Sequence, residues 1–320
     1  MTAPSVTLRL SRRLSDRVGD VTLHGLALGA SAAAVAAVVA VAYELVHGSH
    51  LAFSKFGLGF VTSQAWDPVK ESFGALAFIY GTALTSGFAL LIATPLSIAI
   101  ALFLTELAPR AVRDVIGTLV EMLAAIPSVI LGLWGILVLG PFMLHHVNPF
   151  LHRWLGWTRF FSSDPTTVSN QLLAVAILTI MAVPIVASVS RELFLSVPSE
   201  LKEGALALGM TRWEMVRGVV LHSTRPGIVA AVILGLGRAI GEAIAVTQVI
   251  GGLLGIHPDL FLPGDTLASR IAAQYQGASS NLQASALIYL AAILLVFSLV
   301  VNLLAQVIVR RFSYARAGGV

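Results

Sequence analysis

The sequence predicts an all-α integral membrane protein with six transmembrane helices. Three observations carry this expectation. Of the 320 residues, 57% are hydrophobic and only 11% are charged, against about 45–50% and roughly 25% in a soluble chain. A soluble fold so poor in charge would have little to cover its surface with. The mean hydropathy is +0.88. Six runs reach the length of about 20 apolar residues with which a helix crosses a bilayer core. Within lipid every backbone polar group must be satisfied internally, so runs of this length read as helices, and the alternating strands of an outer-membrane barrel are not seen. Together these observations argue against a soluble enzyme, a disordered chain and a nucleic-acid binder. With no cysteine in the chain, disulfides, thiolate metal sites and cysteine nucleophiles drop out as well.

The runs follow in order. The first, 26–46, carries only Glu44, near its end. The second, 80–105, contains Pro95. The third covers about 115–144; Glu121 precedes its most apolar part and Pro127 lies just inside it. The fourth, 171–190, contains Pro184, and the fifth, 226–255, is interrupted by Arg238 and Glu242. The sixth is 287–309. Residues 1–25 then form an N-terminal segment, 26–309 a single six-helix domain, and 310–320 a tail. Prolines inside the runs are candidate kinks. Trp66, Trp134, Trp154 and Trp157 fall where interfacial anchors are expected, and His145 and His146 read as loop residues.

The charges orient the spans. Segments 1–25, 106–114, 191–225 and 310–320 hold fourteen of the twenty Lys and Arg residues, whereas 47–79, 145–170 and 256–286 hold five. The remaining one is Arg238. The positive-inside rule places the first set, and both termini, in the cytoplasm. The net charge of +4 and the pI near 9.8 are thereby a topological bias that needs no nucleic-acid partner. Ser11-Arg12-Arg13 superficially resembles a twin-arginine export signal. The apolar run behind it is longer than a signal core of about 7–15 residues, and Asp16 and Asp20 intervene, so an uncleaved first span is expected.

The long loop 191–225 is strongly organised. Pro198, Ser199 and Glu200 suit the first turn of a helix, good helix formers run through Leu208, and Gly209 supplies a stop. Thr211 with Glu214 is a capping box that opens a second helix through about Leu221, and Pro226 begins the fifth span. A helix–glycine–helix on the cytoplasmic face reads either as an amphipathic connector at the membrane surface or as a docking element for a cytoplasmic partner. A DNA-binding helix-turn-helix is disfavoured, because a loop tied at both ends to the bilayer could hardly enter a groove.

The residues of this loop carry a resemblance. Glu203-Gly204-Ala205, three residues, Gly209, nine residues and Val219-Val220-Leu221-His222 resemble the EAA loop of ABC-importer permeases, departing from its pattern at Gly204, Val219 and His222. Arg225-Pro226-Gly227-Ile228 and Gly237-Arg238-Ala239-Ile240-Gly241-Glu242-Ala243 are similar to the phosphate-specific (Pst) transport permeases, with Trp66-Asp67-Pro68, Gly81-Thr82 and Ile126-Pro127-Ser128 in support. The similarity extends from about Phe60 to Phe312 and favours the PstC subunit type. It implies a type I ABC importer permease fold in the bacterial cytoplasmic membrane. The loop would act as the coupling element, with Glu203, Gly204, Ala205, Gly209, Thr211 and Glu214 meeting an ATPase subunit. The implied partners are a homologous PstA-type permease, two PstB-type ATPases that use ATP and Mg, and a PstS-type binding protein that delivers inorganic phosphate.

Arg238 and Glu242 are the unusual charges. At bilayer depth each costs roughly 2.5–3.5 kcal/mol on insertion scales, so such residues pair or face a cavity. Their i, i+4 spacing predicts a shared helix face and an ion pair. Gly237 and Gly241 form a GxxxG, predicting close approach of a neighbouring helix. Two readings stand: a self-neutralised pair that locks packing, or a phosphate path in which Arg238 presents a guanidinium and Glu242 holds it and tempers its charge.

No lysine follows a glycine in this chain, so the P-loop is missing and ATP would be hydrolysed elsewhere. The chain is expected to be a transport subunit with no cofactor or metal of its own; its histidines lack ligand spacing such as HExxH. The alternatives are a permease for another oxyanion such as sulfate or molybdate, and a proton-coupled secondary carrier using Arg238 and Glu242 as a relay. No nucleophile, base and metal constellation supports a membrane enzyme.

Overall fold

The computed structural model describes residues 14–314; the Ser11-Arg12-Arg13 sequence and the last six residues of the tail lie outside the described residues. The chain divides into two units, up to Gly48 and from Ser49 onward. The first is one helix, α1 (Leu14–Gly48), whose part Val21–Gly48 is long and apolar enough to cross a membrane.

The second unit opens with two short helices, α2 (His50–Phe56) and α3 (Gly59–Thr62). An antiparallel pair of two-residue strands follows, β1 (Trp66–Asp67) and β2 (Ser72–Phe73). Trp66 is not an interfacial anchor: it is buried, its ring lies edge-on to Phe73 and Phe78 at 5.0 and 5.1 Å, and its Nε1 donates to Gln274 Oε1 at 2.8 Å. An indole is large and apolar with one donor, and this pocket satisfies both properties.

The next helix, α4 (Leu76–Leu102), runs through Pro95 and closes in a π turn, Phe103–Leu107. Then comes α5 (Arg110–Ala125), a separate amphipathic helix. It ends at Ile126 and Pro127, both extended. The expected third span over 115–144 therefore shifts. Proline disfavours the helical region in the residue before it and supplies no N–H, so the helix stops there and restarts. The long apolar stretch is Ser128–Leu155, built from α6 (Ser128–Trp134), α7 (Gly140–Phe142) and α8 (Asn148–Leu155) joined through π turns. His145 and His146 sit in one of these turns, Met143–Val147, and not in a loop.

The hub is α9 (Gln171–Leu195), which runs through Pro184. Of its apolar window 72% is buried inside the chain, against 17% for Asn281–Val307. It packs most extensively on α4 and then on α12 (Leu221–Gly241). Ser97 Oγ donates across the α4–α9 contact to Val183 O at 3.2 Å, and Thr179 Oγ1 to Ala89 O at 3.4 Å. At its N-terminus, where a helix leaves its first N–H groups unsatisfied, Asn170 accepts from Leu173 N at 2.9 Å. The carbonyls of Leu262 and Leu260 accept from Gln171 and Leu172 N. The loop that carries these accepting carbonyls is held by Asp259, whose buried carboxylate accepts from Phe261 N, Ser163 N and Ser162 Oγ. Burial works to raise that carboxyl, but these bonds hold it below its ordinary value.

Two short helices stand within 191–225, the stretch expected to be a cytoplasmic loop: α10 (Ser199–Ala207) and α11 (Arg212–Met215). A π turn, Val216–Val220, leads from α11 into α12 without a break, so Pro226 lies inside a helix and does not mark its start. The fifth span reads as one helix over 226–255, but α12 stops at Gly241, and a short helix α13 (Ile244–Val249) follows. Gly251, Gly252 and Gly255 then take φ of +92°, +72° and +134°, which ends helix altogether. The chain returns through α14 (Leu267–Gln274) to the last helix, α15 (Asn281–Tyr314).

Candidate functional site

The loop that holds α10 and α11 is built as its residues dictate. At the end of α10 Gly209 has φ +87°, Gly209 N donates to Leu206 O at 3.0 Å, and Met210 N donates to Ala205 O at 3.2 Å. This is the Schellman arrangement, in which a left-handed residue closes the helix. Thr211 and Glu214 form the expected capping box: Glu214 N donates to Thr211 Oγ1 at 3.3 Å and Thr211 N to Glu214 Oε2 at 2.8 Å.

Glu203, Gly204, Gly209, Thr211 and Glu214 are all exposed at this tip. Ala205 is not. It is buried with Ala101, Phe194, Val197 and Met215, so it packs α10 onto the rest of the chain and offers nothing to a partner. The helix that exposes Glu203 turns Ala205 to its opposite side. Two apolar side chains that sequence reasoning did not single out stand clear of the tip: Leu208, 84% exposed, and Trp213, 64% exposed. Flanking the same tip, Leu201, Leu206 and Met210 are exposed too. Clusters of exposed large apolar residues mark interaction surfaces.

The membrane-depth charges are arranged differently from the expectation. Arg238 is near the end of α12 and is exposed, with no ion-pair partner among the described residues. Glu242 is one residue beyond the helix, at φ −73° and ψ 114°, and is buried. Its Oε1 accepts from Ala245 N at 3.1 Å. The two do not share a helix face and do not pair. Gly241 is a weak helical residue, and ending the helix there lets the carboxylate turn to a backbone donor. The GxxxG expectation also changes. A Cβ at Gly237 or Gly241 would meet nothing within 4 Å, so among the described residues no helix approaches there. The close approaches of α12 to α9 are made at Gly235, where a Cβ would lie 2.7 Å from Val186 Cγ2, and at Gly227, where it would lie 2.6 Å from Leu193 Cδ1. Arg238, Gly237 and Gly241 therefore belong to a face that the described residues of the second unit leave open.

A charged pair that does form, Asp265 and Arg270, escaped sequence reasoning. Its members are 7% exposed each, and Arg270 Nη2 lies 2.5 Å from Asp265 Oδ2. The guanidinium also reaches Gly252 O at 3.2 Å and lies over the Phe78 and Trp66 rings at 5.1 and 5.9 Å. Asp265 accepts from Ser269 Oγ and from Thr266 N. Burial pushes its carboxyl above the ordinary carboxylate range, against the pull of Arg270 and these hydrogen bonds. The opposing surface is Gly81-Thr82. Thr82 Oγ1 accepts from Leu267 N at 3.0 Å, and a Cβ on Gly81 would lie 2.0 Å from Asp265 O, so only glycine lets α4 dock here. The one available signal was the joint occurrence of Trp66 and Gly81-Thr82, which does not disclose a partner some 185 residues on.

Breaking a buried pair from one side leaves an uncompensated charge and costs about 3–5 kcal/mol. Arg270→Ala is thus expected to lower the thermal midpoint of the purified protein sharply. Asp265→Asn combined with Arg270→Met should recover most of the loss. An unchanged midpoint in Arg270→Ala would show that the pair does not hold the 251–270 segment.

The family described as "binding-protein-dependent transport system inner membrane component" matches residues 93–314. The chain is 43% identical over 303 residues to the "phosphate transport system permease protein PstC" of Mesorhizobium japonicum, covering 93% of this chain and 92% of that one. To the protein of the same name from Pasteurella multocida it is 44% identical over 278 residues, 86% of each. Among solved structures it is similar to a chain of a bacterial ABC transporter involved in import of the acidic polysaccharide alginate. The TM-score is 0.60 at 21% identity, with 92% of this chain and 99% of that chain covered. At that identity the likeness speaks for the fold alone.

Proposed function

The chain belongs to the binding-protein-dependent transport system inner membrane components, among the PstC phosphate transport permeases, and on that premise we propose that Arg238 carries inorganic phosphate through the membrane. The chain is a multi-pass inner-membrane permease subunit of an ABC importer and not its ATPase. The observation that supports the cargo site is the guanidinium of Arg238, exposed and without an ion-pair partner on a face that carries Gly237 and Gly241. A cation held at membrane depth needs an anion or water, and guanidinium matches the oxygens of phosphate in a bidentate fork. Glu242 is buried four residues on, bonded to the backbone and not to Arg238. It leaves the guanidinium free while keeping the local charge close to neutral, so that phosphate binds without being trapped.

The open face then receives a homologous PstA-type permease, whose backbone approaches at Gly237 and Gly241. Two PstB-type ATPases, with their ATP and Mg, dock from the cytoplasm, where both termini also lie. On this chain the docking surface is the tip formed by Glu203, Gly204, Gly209, Thr211 and Glu214 with Leu208 and Trp213. A PstS-type binding protein delivers phosphate on the side of 47–79, 145–170 and 256–286. Closure of the ATPases moves the docked tips and rocks the two permeases between outward and inward access.

The test is radiolabelled phosphate uptake into proteoliposomes holding this chain with its partner subunits, with and without ATP and with sulfate as competitor. ATP-dependent uptake that sulfate leaves unchanged is the expected result. Uptake driven by a proton gradient alone, or suppressed by sulfate, would overturn the reading.

A further inference from the structure

We propose that the Glu106–Lys202 ion pair is the link through which the cytoplasmic tip moves the second membrane helix, an inference that rests on the docking role given to that tip. Lys202 lies on the inward side of α10, next in sequence to the exposed Glu203. Its Nζ is 2.7 Å from Glu106 Oε1 and also donates to Phe194 O at 3.2 Å, at the end of α9. The two side chains are 19% and 12% exposed, so water screens the pair poorly. Glu106 stands in the π turn that closes α4. The same turn is pinned by Arg113, whose Nη2 donates to Thr105 O at 3.0 Å.

The apolar cluster that holds Ala205 together with Ala101 and Phe194 is non-directional and allows sliding. A short, poorly screened ion pair is directional and transmits a pull. The helix it pulls on, Leu76–Leu107, is continuous. At 1.5 Å per residue, Glu106 lies about 38 Å from Gly81 along it, and Gly81-Thr82 is where that helix docks the Asp265–Leu267 turn. One rigid element therefore joins the ATPase-facing tip to the loop system at the far end of the membrane unit. In the sequence both residues fall in polar segments, 106–114 and 191–225, and nothing there relates them.

The experiment uses the full transporter in proteoliposomes and reads phosphate moved per ATP hydrolysed. Glu106→Gln and Lys202→Gln are each expected to keep ATP hydrolysis while that ratio falls by on the order of fivefold or more. The exchange Glu106→Lys with Lys202→Glu is expected to restore it. A merely structural role would instead remove assembly, and hydrolysis and transport together.

The chain has no cysteine, so Glu106→Cys with Lys202→Cys introduces the chain's only thiols. Bridging them with a short bifunctional thiol reagent should restore the ratio that the unbridged variant loses. An unchanged ratio in the single variants, an exchange variant as uncoupled as they are, or a bridged variant no better than the open one would each overturn the link. Gly209→Trp is run beside them. If it uncouples while the Glu106 and Lys202 variants do not, the link alone fails; if it too leaves the ratio unchanged, the docking role fails.

Discussion

Arg238→Gln is expected to abolish phosphate uptake while the transporter still assembles. The side chain is exposed and has no ion-pair partner among the described residues, so its removal breaks no internal contact of that kind. Glutamine keeps a polar head of lower cost at membrane depth, where an arginine costs roughly 2.5–3.5 kcal/mol, so the fold should be kept. The loss falls on the anion. Two charge-assisted hydrogen bonds at roughly 1.5–3 kcal/mol each would be forfeited, which corresponds to a fall of about a hundredfold or more in transport rate. Arg238→Lys keeps the charge and loses the fork, so its uptake should lie between the two. The measurements are radiolabelled uptake and the elution of the intact complex by size exclusion. Uptake at the wild-type rate in Arg238→Gln would remove Arg238 from the phosphate path.

What sequence reading could reach follows from the range of the physics involved. Apolar runs and turn chemistry are local. Gly209 and the Thr211–Glu214 box were therefore legible: each satisfies backbone groups within a few residues of itself. So was the existence of six apolar helices. Helix ends inside apolar runs were harder. Proline at 127 does end a helix, yet Pro95, Pro184 and Pro226 do not; whether a proline breaks its helix depends on what packs around it.

The i, i+4 spacing of Arg238 and Glu242 argued for a pair only on the assumption that one helix carries both. The chain leaves the helix between them, and the buried carboxylate finds the Ala245 N–H instead. GxxxG likewise names a surface that permits close approach without naming what approaches. Here the glycines against α9 are Gly227 and Gly235, and among the described residues nothing closes on Gly237 and Gly241. The pairs Asp265–Arg270 and Glu106–Lys202 were beyond reach for different reasons. The first is only five residues apart, but its burial comes from Trp66 and Phe78 far upstream. The second joins residues 96 apart, one on α10 and one in the π turn that closes α4.

Gly209→Trp is expected to uncouple ATP hydrolysis from phosphate transport. Two effects must be separated. Gly209 has φ +87°, a region that costs an L-residue roughly 1–2 kcal/mol, so any side chain there strains the Schellman turn. Bulk is a separate matter, because a Cβ at this position meets nothing within 4 Å of this chain and projects into open space at the tip. An indole there sits between Leu208 and the capping box of α11, on the surface given to the ATPase. Gly209→Asn isolates the strain, since asparagine tolerates the left-handed region better than other residues, and it should transport close to normally. The fold of α10 is also held from the inside by the Ala205 and Lys202 side chains, which lie on the side of the helix away from the tip substitution. The chain should therefore insert and pair with its partner permease while phosphate moved per ATP falls by on the order of tenfold, the equivalent of about 1.4 kcal/mol of docking energy. If Gly209→Trp transports as well as Gly209→Asn, the ATPase does not seat on this tip, and Leu208 and Trp213 need another explanation for their exposure.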